Sequence, residues 1–255
     1  MSSILGFPRV GQNRELKKAL ESFWSGKSTQ SDLESVAKAL REKHWAEQKD
    51  LDFVCVNDFS LYDNVLDLAY SLNAKPQRFK DLSGLEGYFA MARGHKSGVA
   101  CEMTKWFNTN YHYVVPELSE DDNYKADISN IKAYYNEAKT LGYRPKISLI
   151  GLFTFFGLSK IANGNPTAIF NKLKAAYLDL ISEIAKLDSK VVVEFSEPLF
   201  VRGLNKDIFS GIDIESEVLN VYNAIADSGI QAIVSTFFEH SNELPCEVKS
   251  CRAWA

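Results

Sequence analysis

Short apolar runs alternate along the chain with stretches whose apolar positions recur at helical spacing. The first run spans residues 4–8, and a basic helix is predicted from Arg14 to about Trp24. Ser31, Asp32, Leu33 and Glu34 read as a capping box that opens a helix to about Lys49. Its apolar positions are Leu33, Val36, Leu40 and Trp45. A strand follows over residues 51–58, then a helix through Leu61, Val65, Leu68 and Leu72. A further helix over residues 82–93 stops at Gly94, and a third strand covers about residues 100–108. Residues 128–141 read as a helix ended by Gly142 in the left-handed conformation. Residues 146–155 are almost continuously apolar, as in a strand covered on both faces. A helix over residues 167–187, a strand over 191–198, a helix over 215–227 and a sixth strand over 231–239 complete the pattern.

Strand and helix in alternation predict a parallel sheet built from βα units in a single domain. A doubly wound sheet and a (β/α)8 barrel both fit. The GFPRVG turn lacks GxGxxG, which disfavours the dinucleotide-binding form of the first. Polar groups gather at the C-terminal ends of the strands: Arg9, Asp58, Asn108, Thr154, Glu197 and Glu239. Barrel enzymes keep functional groups at that rim, so the expected fold is α/β of the (β/α)8 TIM-barrel type. It is incomplete, with about six of the eight strands. The 16 residues after Glu239 are too few for two more βα units. Residues 1–239 are thus expected to form the open barrel and residues 240–255 an atypical tail. Unpaired edges in such a barrel predict poor solubility, a low melting temperature or self-association.

Composition narrows the classes. Hydrophobic residues at 45% and charged residues at 24% fit a globular chain. No apolar run reaches the roughly 18 residues of a membrane span, and the N-terminus lacks the pattern of a secretory signal. A net charge of -4 gives nucleic acid no global attraction, so neither nucleic acid nor membrane is an expected partner. Cys55, Cys101, Cys246 and Cys251 form no C-x-x-C pair, which suits reduced thiols in a cytoplasmic protein.

Candidate chemistry is local. Arg14, Lys17 and Lys18 open a helix and could hold a polyanion, helped by exposed N–H groups and the helix dipole. From spacing alone, a solvated basic helix face is the commoner explanation. Lys105 is unusual in an aromatic strand, where alternation places it with Met103 and Phe107. It would pair with a carboxylate inside the barrel or face a ligand carboxylate. Core packing is the simpler account of Trp106 and Phe107. Asn108, Asn110 and His112 follow just past that strand. Asp58 or Ser60 would cap the next helix or serve a site, and Glu197 before Pro198 is a site residue or a turn. His240, Cys246 and Cys251 have loose spacing for zinc, and no fourth ligand is near. No G-x-S-x-G, Walker A or H-E-x-x-H pattern occurs, so a complete enzyme of another chemistry lacks its nucleophile or metal.

The segment LGFPRVGQNRELKKALESFWSG (residues 5–26) strongly resembles the start of cobalamin-independent methionine synthase. EMTKWFNTNYHYVVPEL (102–118), VNDFSLYDNVL (56–66) and the SEP stretch (196–198) resemble it too, and the likeness runs in order from Ile4 to Glu239. That family transfers a methyl group from 5-methyltetrahydropteroyltriglutamate to homocysteine on two barrels, in methionine biosynthesis. The resemblance implies that Arg14, Glu15, Leu16 and Lys17 bind the folate polyglutamate tail and that Lys105 is a second contact. Cationic groups suit tail carboxylates. It implies no cofactor in this chain: zinc and homocysteine belong to the family's C-terminal half, so methyl transfer by this chain alone is not expected. A fragment of the enzyme is the first expectation. The alternative is a stand-alone folate-binding module or one that docks a separate catalytic half. The sequence departs from the family at Ser196, where an aspartate is usual, at Leu152, where a proline is usual, and from about Asn242 onward.

Overall fold

The computed structural model describes residues 2–204 and 207–240. In chain order the elements begin with α1 (Glu15–Trp24), α2 (Gln30–Glu47), β1 (Val54–Val56), α3 (Asn64–Ser71) and α4 (Gly84–Arg93). Next come β2 (Met103–Lys105), β3 (His112–Val114), β4 (Glu117–Ser119), α5 (Ser129–Thr140), β5 (Pro145–Ile150) and α6 (Leu152–Gly157). Then follow β6 (Lys160–Asn163), α7 (Pro166–Ala185), β7 (Val192–Ser196), α8 (Leu199–Arg202), α9 (Ile214–Asp227) and β8 (Gln231–Ser235). The described residues fall into two compact units, one within Met1–Leu61 and Asn130–Ser148, the other within Tyr62–Ser129 and Leu149–Ala255. The architecture is mixed α/β with parallel strand pairs.

In the first unit α1 packs on α2, with Leu16, Leu20, Leu33 and Leu40 buried. The capping box exists but sits two residues earlier than predicted. Thr29 accepts from the Asp32 N–H, and Asp32 accepts from the Thr29 N–H at 2.8 Å. The true box needs a side chain three residues before its acid, and Thr29–Asp32 meets that as well as Ser31–Glu34 does. β1 pairs in parallel with β5, Val54 opposite Pro145 and Val56 opposite Ile147. Gly142 follows α5 with φ 85°, the expected left-handed end.

Residues 4–8 form no strand, contrary to the pattern. The backbone of Cys55 in β1 is already engaged by α2. Its N–H donates to Gln48 Oε1 at 2.8 Å, and its carbonyl accepts from Trp45 Nε1 at 2.9 Å. The 4–8 segment is instead held by side chains. Phe7 N–H donates to Asp58 at 2.7 Å, and the Lys146 ammonium donates to the Ile4 carbonyl at 2.7 Å.

In the second unit the run at 100–108 is not a buried parallel strand. It is β2, exposed at all three residues and antiparallel to β3. The run at 146–155 breaks at Gly151, and its end is α6. Glu197 causes the break by accepting from the Phe153 and Thr154 N–H groups at 3.1 and 2.7 Å, so it caps α6. A Cβ at position 151 would lie 2.1 Å from the Glu197 carboxylate, so only glycine fits there. Two short strands that the pattern did not predict, β4 and β6, pair in parallel, as do β7 and β8. Asn165 caps α7 ahead of Pro166, and Asp213 caps α9. The core of this unit is aromatic, with Phe153 near Phe170, Phe200 and Tyr222 at 5.6 to 6.4 Å between ring centres.

Candidate functional site

The basic cluster of the first unit begins in a constrained loop. Gly11 has φ 84°, and a Cβ there would lie 2.2 Å from Glu15 Oε2. Arg14 is the residue before α1 and adopts the left-handed conformation, φ 61°, with no side-chain cap of its own. Glu15 closes the loop that leads into the helix. Its carboxylate accepts from the Asn13 N–H at 2.9 Å, and its own backbone N–H together with that of Asn13 holds its pKa below the usual carboxylate value. The Leu16 N–H donates to the Val10 carbonyl at 3.1 Å. The N–H groups of Asn13 and Leu16 are therefore engaged within the chain.

The side chains of the cluster divide by role. Arg14, Lys17 and Lys18 are exposed, whereas Leu16 is fully buried and anchors α1. Lys17 lies 3.7 Å from Glu21, an exposed pair one turn apart that leaves the ammonium available. Of the four residues carried over from the family motif, Arg14 and Lys17 can present charge, Glu15 shapes the loop and Leu16 packs.

In the second unit Lys105 stands opposite His112 in the β2–β3 hairpin, exposed and in no ion pair among the described residues. Of the two roles expected for it, pairing with a carboxylate of the chain is not seen among the described residues. Phe107 has φ 51° and leaves the strand, so it does not share the face of Met103 and Lys105 as alternation predicted. It packs edge-on against Trp106 at 5.0 Å, and Trp106 packs edge-on against Tyr113 at 6.0 Å. These aromatics support the hairpin, in keeping with the packing account. Asn108 and Asn110 are in the hairpin loop, and His112 starts the return strand.

The remaining candidates are structural. Asp58 does not cap α3; Asp63 does, accepting from Leu66 N–H at 2.9 Å. Burial pushes the Asp58 carboxyl up to about 6, despite the N–H groups that face it. Burial likewise raises Glu197 to about 7, against the donors of Thr154, Tyr222 and Phe153. Thr154 is fully buried in α6 rather than on a rim, and Glu239 pairs with Arg202. Arg9 donates to the Leu61 carbonyl at 3.2 Å.

A zinc site does not fit the described residues. No three His, Cys, Asp or Glu groups among them converge where a metal could be held. Cys55 is buried with its thiol 3.4 Å from the Leu5 carbonyl, and burial beside Glu117 pushes Cys101 up to about 12, so Cys101 offers no ready thiolate. His240 is exposed, and Cys246 and Cys251 lie outside the described residues. No described helix is long and apolar enough to cross a membrane.

Sequence reasoning found the cations but missed the Glu15 carboxylate as the loop's own cap. Asn13 two residues before it was the available signal.

Comparison with known proteins places these segments in a family. The family described as "Cobalamin-independent synthase, N-terminal domain" matches residues 1–253, including the stretch after Asn242 where motif reading found no likeness. The chain is 45% identical over 246 residues to a 5-methyltetrahydropteroyltriglutamate–homocysteine methyltransferase of Desulforamulus reducens, covering 94% of this chain and 32% of that protein. It is 38% identical over 262 residues to the protein of that name from Catharanthus roseus, covering 96% and 32%. A probable enzyme of the same name from Schizosaccharomyces pombe is 37% identical over 235 residues, covering 86% and 31%. The chain thus spans about a third of the length of the curated relatives it matches. It belongs to the cobalamin-independent methionine synthase family and carries the sequence of that family's N-terminal domain.

Proposed function

We propose that this chain binds the polyglutamate tail of 5-methyltetrahydropteroyltriglutamate through Arg14, Lys17 and Lys105, with Glu15 and Leu16 holding the segment in place. In this reading it serves methyl transfer to homocysteine in the cytoplasm, and the zinc and homocysteine chemistry resides in sequence beyond this chain. The observation that carries the reading is the exposure of Lys17 and Lys105, with Lys105 in no ion pair among the described residues. Each γ-linked glutamate of a folate tail adds a carboxylate, and an available ammonium is its complement. We place these residues in an incomplete (β/α) barrel over residues 1–239, followed by an atypical tail over 240–255. The parallel pairings and the alternation of strand and helix support that fold.

Calorimetric titration with triglutamyl and monoglutamyl 5-methyltetrahydrofolate tests the reading. The triglutamyl form should bind about tenfold or more tightly. Lys17→Ala and Lys105→Ala should remove that preference. Absence of binding by either ligand overturns the proposal. Equal binding of both reduces it to a site for the pteridine end.

A further inference from the structure

Beside the basic cluster, the first unit holds a cavity of about 280 Å³ between the loop at residues 7–12 and α2. That is near the small end of ligand sites, which run from about 300 Å³ upward. Phe7, Pro8 and Val10 supply an apolar wall, while Lys43, His44 and Glu47 line it from α2. His44 is 6% exposed and stacks on Phe7, ring centres 4.4 Å apart and 23° from parallel. Its ring nitrogens have no hydrogen-bond partner among the described residues. Burial and the Lys43 charge push its pKa below the usual histidine value, so near neutral pH the ring carries one donor and one acceptor. The ring nitrogens are not among the buried polar atoms left without a partner, so they open on the cavity and can meet a ligand that enters it.

The charges narrow what that something is. Lys43 and Glu47 are one helical turn apart on α2, both exposed, and no ion pair joins them among the described residues. Glu15 also acts on Lys43 and His44. Within the cavity a polyanion would be repelled by Glu47, and a simple cation by Lys43. A small molecule with one charge of each sign and an apolar body suits all three surfaces.

We propose that this cavity binds a free α-amino acid with an apolar side chain. The ammonium faces Glu47, the carboxylate faces Lys43, the side chain lies on Phe7, Pro8 and Val10, and His44 hydrogen-bonds the polar end. This inference stands apart from the folate reading, since none of the cations proposed for the tail lines the cavity.

L-Leucine and L-phenylalanine are the probes, titrated into the whole chain and followed through the His44 ring resonances. Saturable binding that shifts those resonances is the expected result. N-acetyl-leucine and leucinamide, each lacking one charge, should bind about tenfold more weakly or worse. Glu47→Ala should erase the difference between leucine and N-acetyl-leucine, and Lys43→Ala the difference between leucine and leucinamide. Both positions are exposed on the helix surface, and unchanged thermal melts verify the fold of each variant. Failure of both amino acids to bind overturns the proposal, as does equal binding of leucine and its blocked forms. Displacement of leucine by a triglutamate peptide also overturns it, by making the cavity part of a tail site.

Discussion

Residues 4–14 and the hairpin at 103–114 each carry a cation proposed to meet the folate tail, and they are held in different ways. The first segment has no ladder; Asp58, Cys55 and Lys146 reach it from far along the chain. The second has the β2–β3 ladder, the Trp106 N–H to Tyr111 carbonyl bond at 2.7 Å, and Thr109, besides the long-range bonds of Val114 N–H to Asp63 and Tyr113 O–H to the Leu158 carbonyl, both at 3.0 Å. Side-chain support ties the geometry of the loop to buried groups and their charge. The hairpin adds a local ladder to its own buried carboxylate contact, Asp63, which accepts from the Val114 N–H. A segment without a ladder depends wholly on distant residues, whereas one with a ladder keeps part of its shape by its own sequence.

Removing the buried anchor beneath the loop is the strongest way to break the contrast. Leu16→Ala leaves a cavity under α1 and should lower stability by about 2–5 kcal/mol, read as a shift in urea midpoint. A loss below about 1 kcal/mol would place Leu16 outside the core and return it to a contact role.

The charge dependence of the loop gives the next effect. Asp58 has a folded pKa of about 6 against an ordinary 3.8, so folding favours its protonated form. Its contribution is complete below about pH 4 and is lost as pH rises through 6, a change of up to about 3 kcal/mol. Glu197, raised to about 7, acts in the same direction, while His44, lowered, acts oppositely below its ordinary value. Urea midpoints from pH 4 to 7 should therefore fall less steeply in Asp58→Asn, whose amide oxygen can still accept from Phe7 N–H. Parallel curves for the two proteins would mean that Asp58 titrates normally.

The smallest effect belongs to the hairpin. Thr109 Oγ1 donates to the Trp106 carbonyl at 2.7 Å and accepts from the Tyr111 N–H at 3.1 Å. Thr109→Val should cost about 1 kcal/mol, confined to the hairpin in amide exchange and without pH dependence over the Asp58 window. Spread of the loss beyond residues 103–114 would deny the hairpin its independence.

Helices were legible where caps and periodicity agreed, as in α7 behind Asn165 and α9 behind Asp213. The short strands were harder. Apolar content predicted residues 4–8 and 100–108 as strands of the sheet, but the first lost its partner edge to Trp45 and Gln48 and the second turned back on itself. The cations of the candidate site were visible as residue types. Which of them face solvent was not, because adjacent positions on one helix turn, such as Leu16 and Lys17, have opposite fates.

Sequence by itself determined the family, the order of helices and strands through most of the chain, and the residues able to meet a polyanion, since motif, periodicity and charge are local properties. Tertiary structure alone decided that Glu15 closes its own loop, that Glu197 caps α6 and that His44 opens on a cavity beside Phe7. These assignments turn on which buried donor meets which acceptor once the chain is packed. Except for Glu15, the partners are tens of residues apart, and no local pattern encodes their meeting.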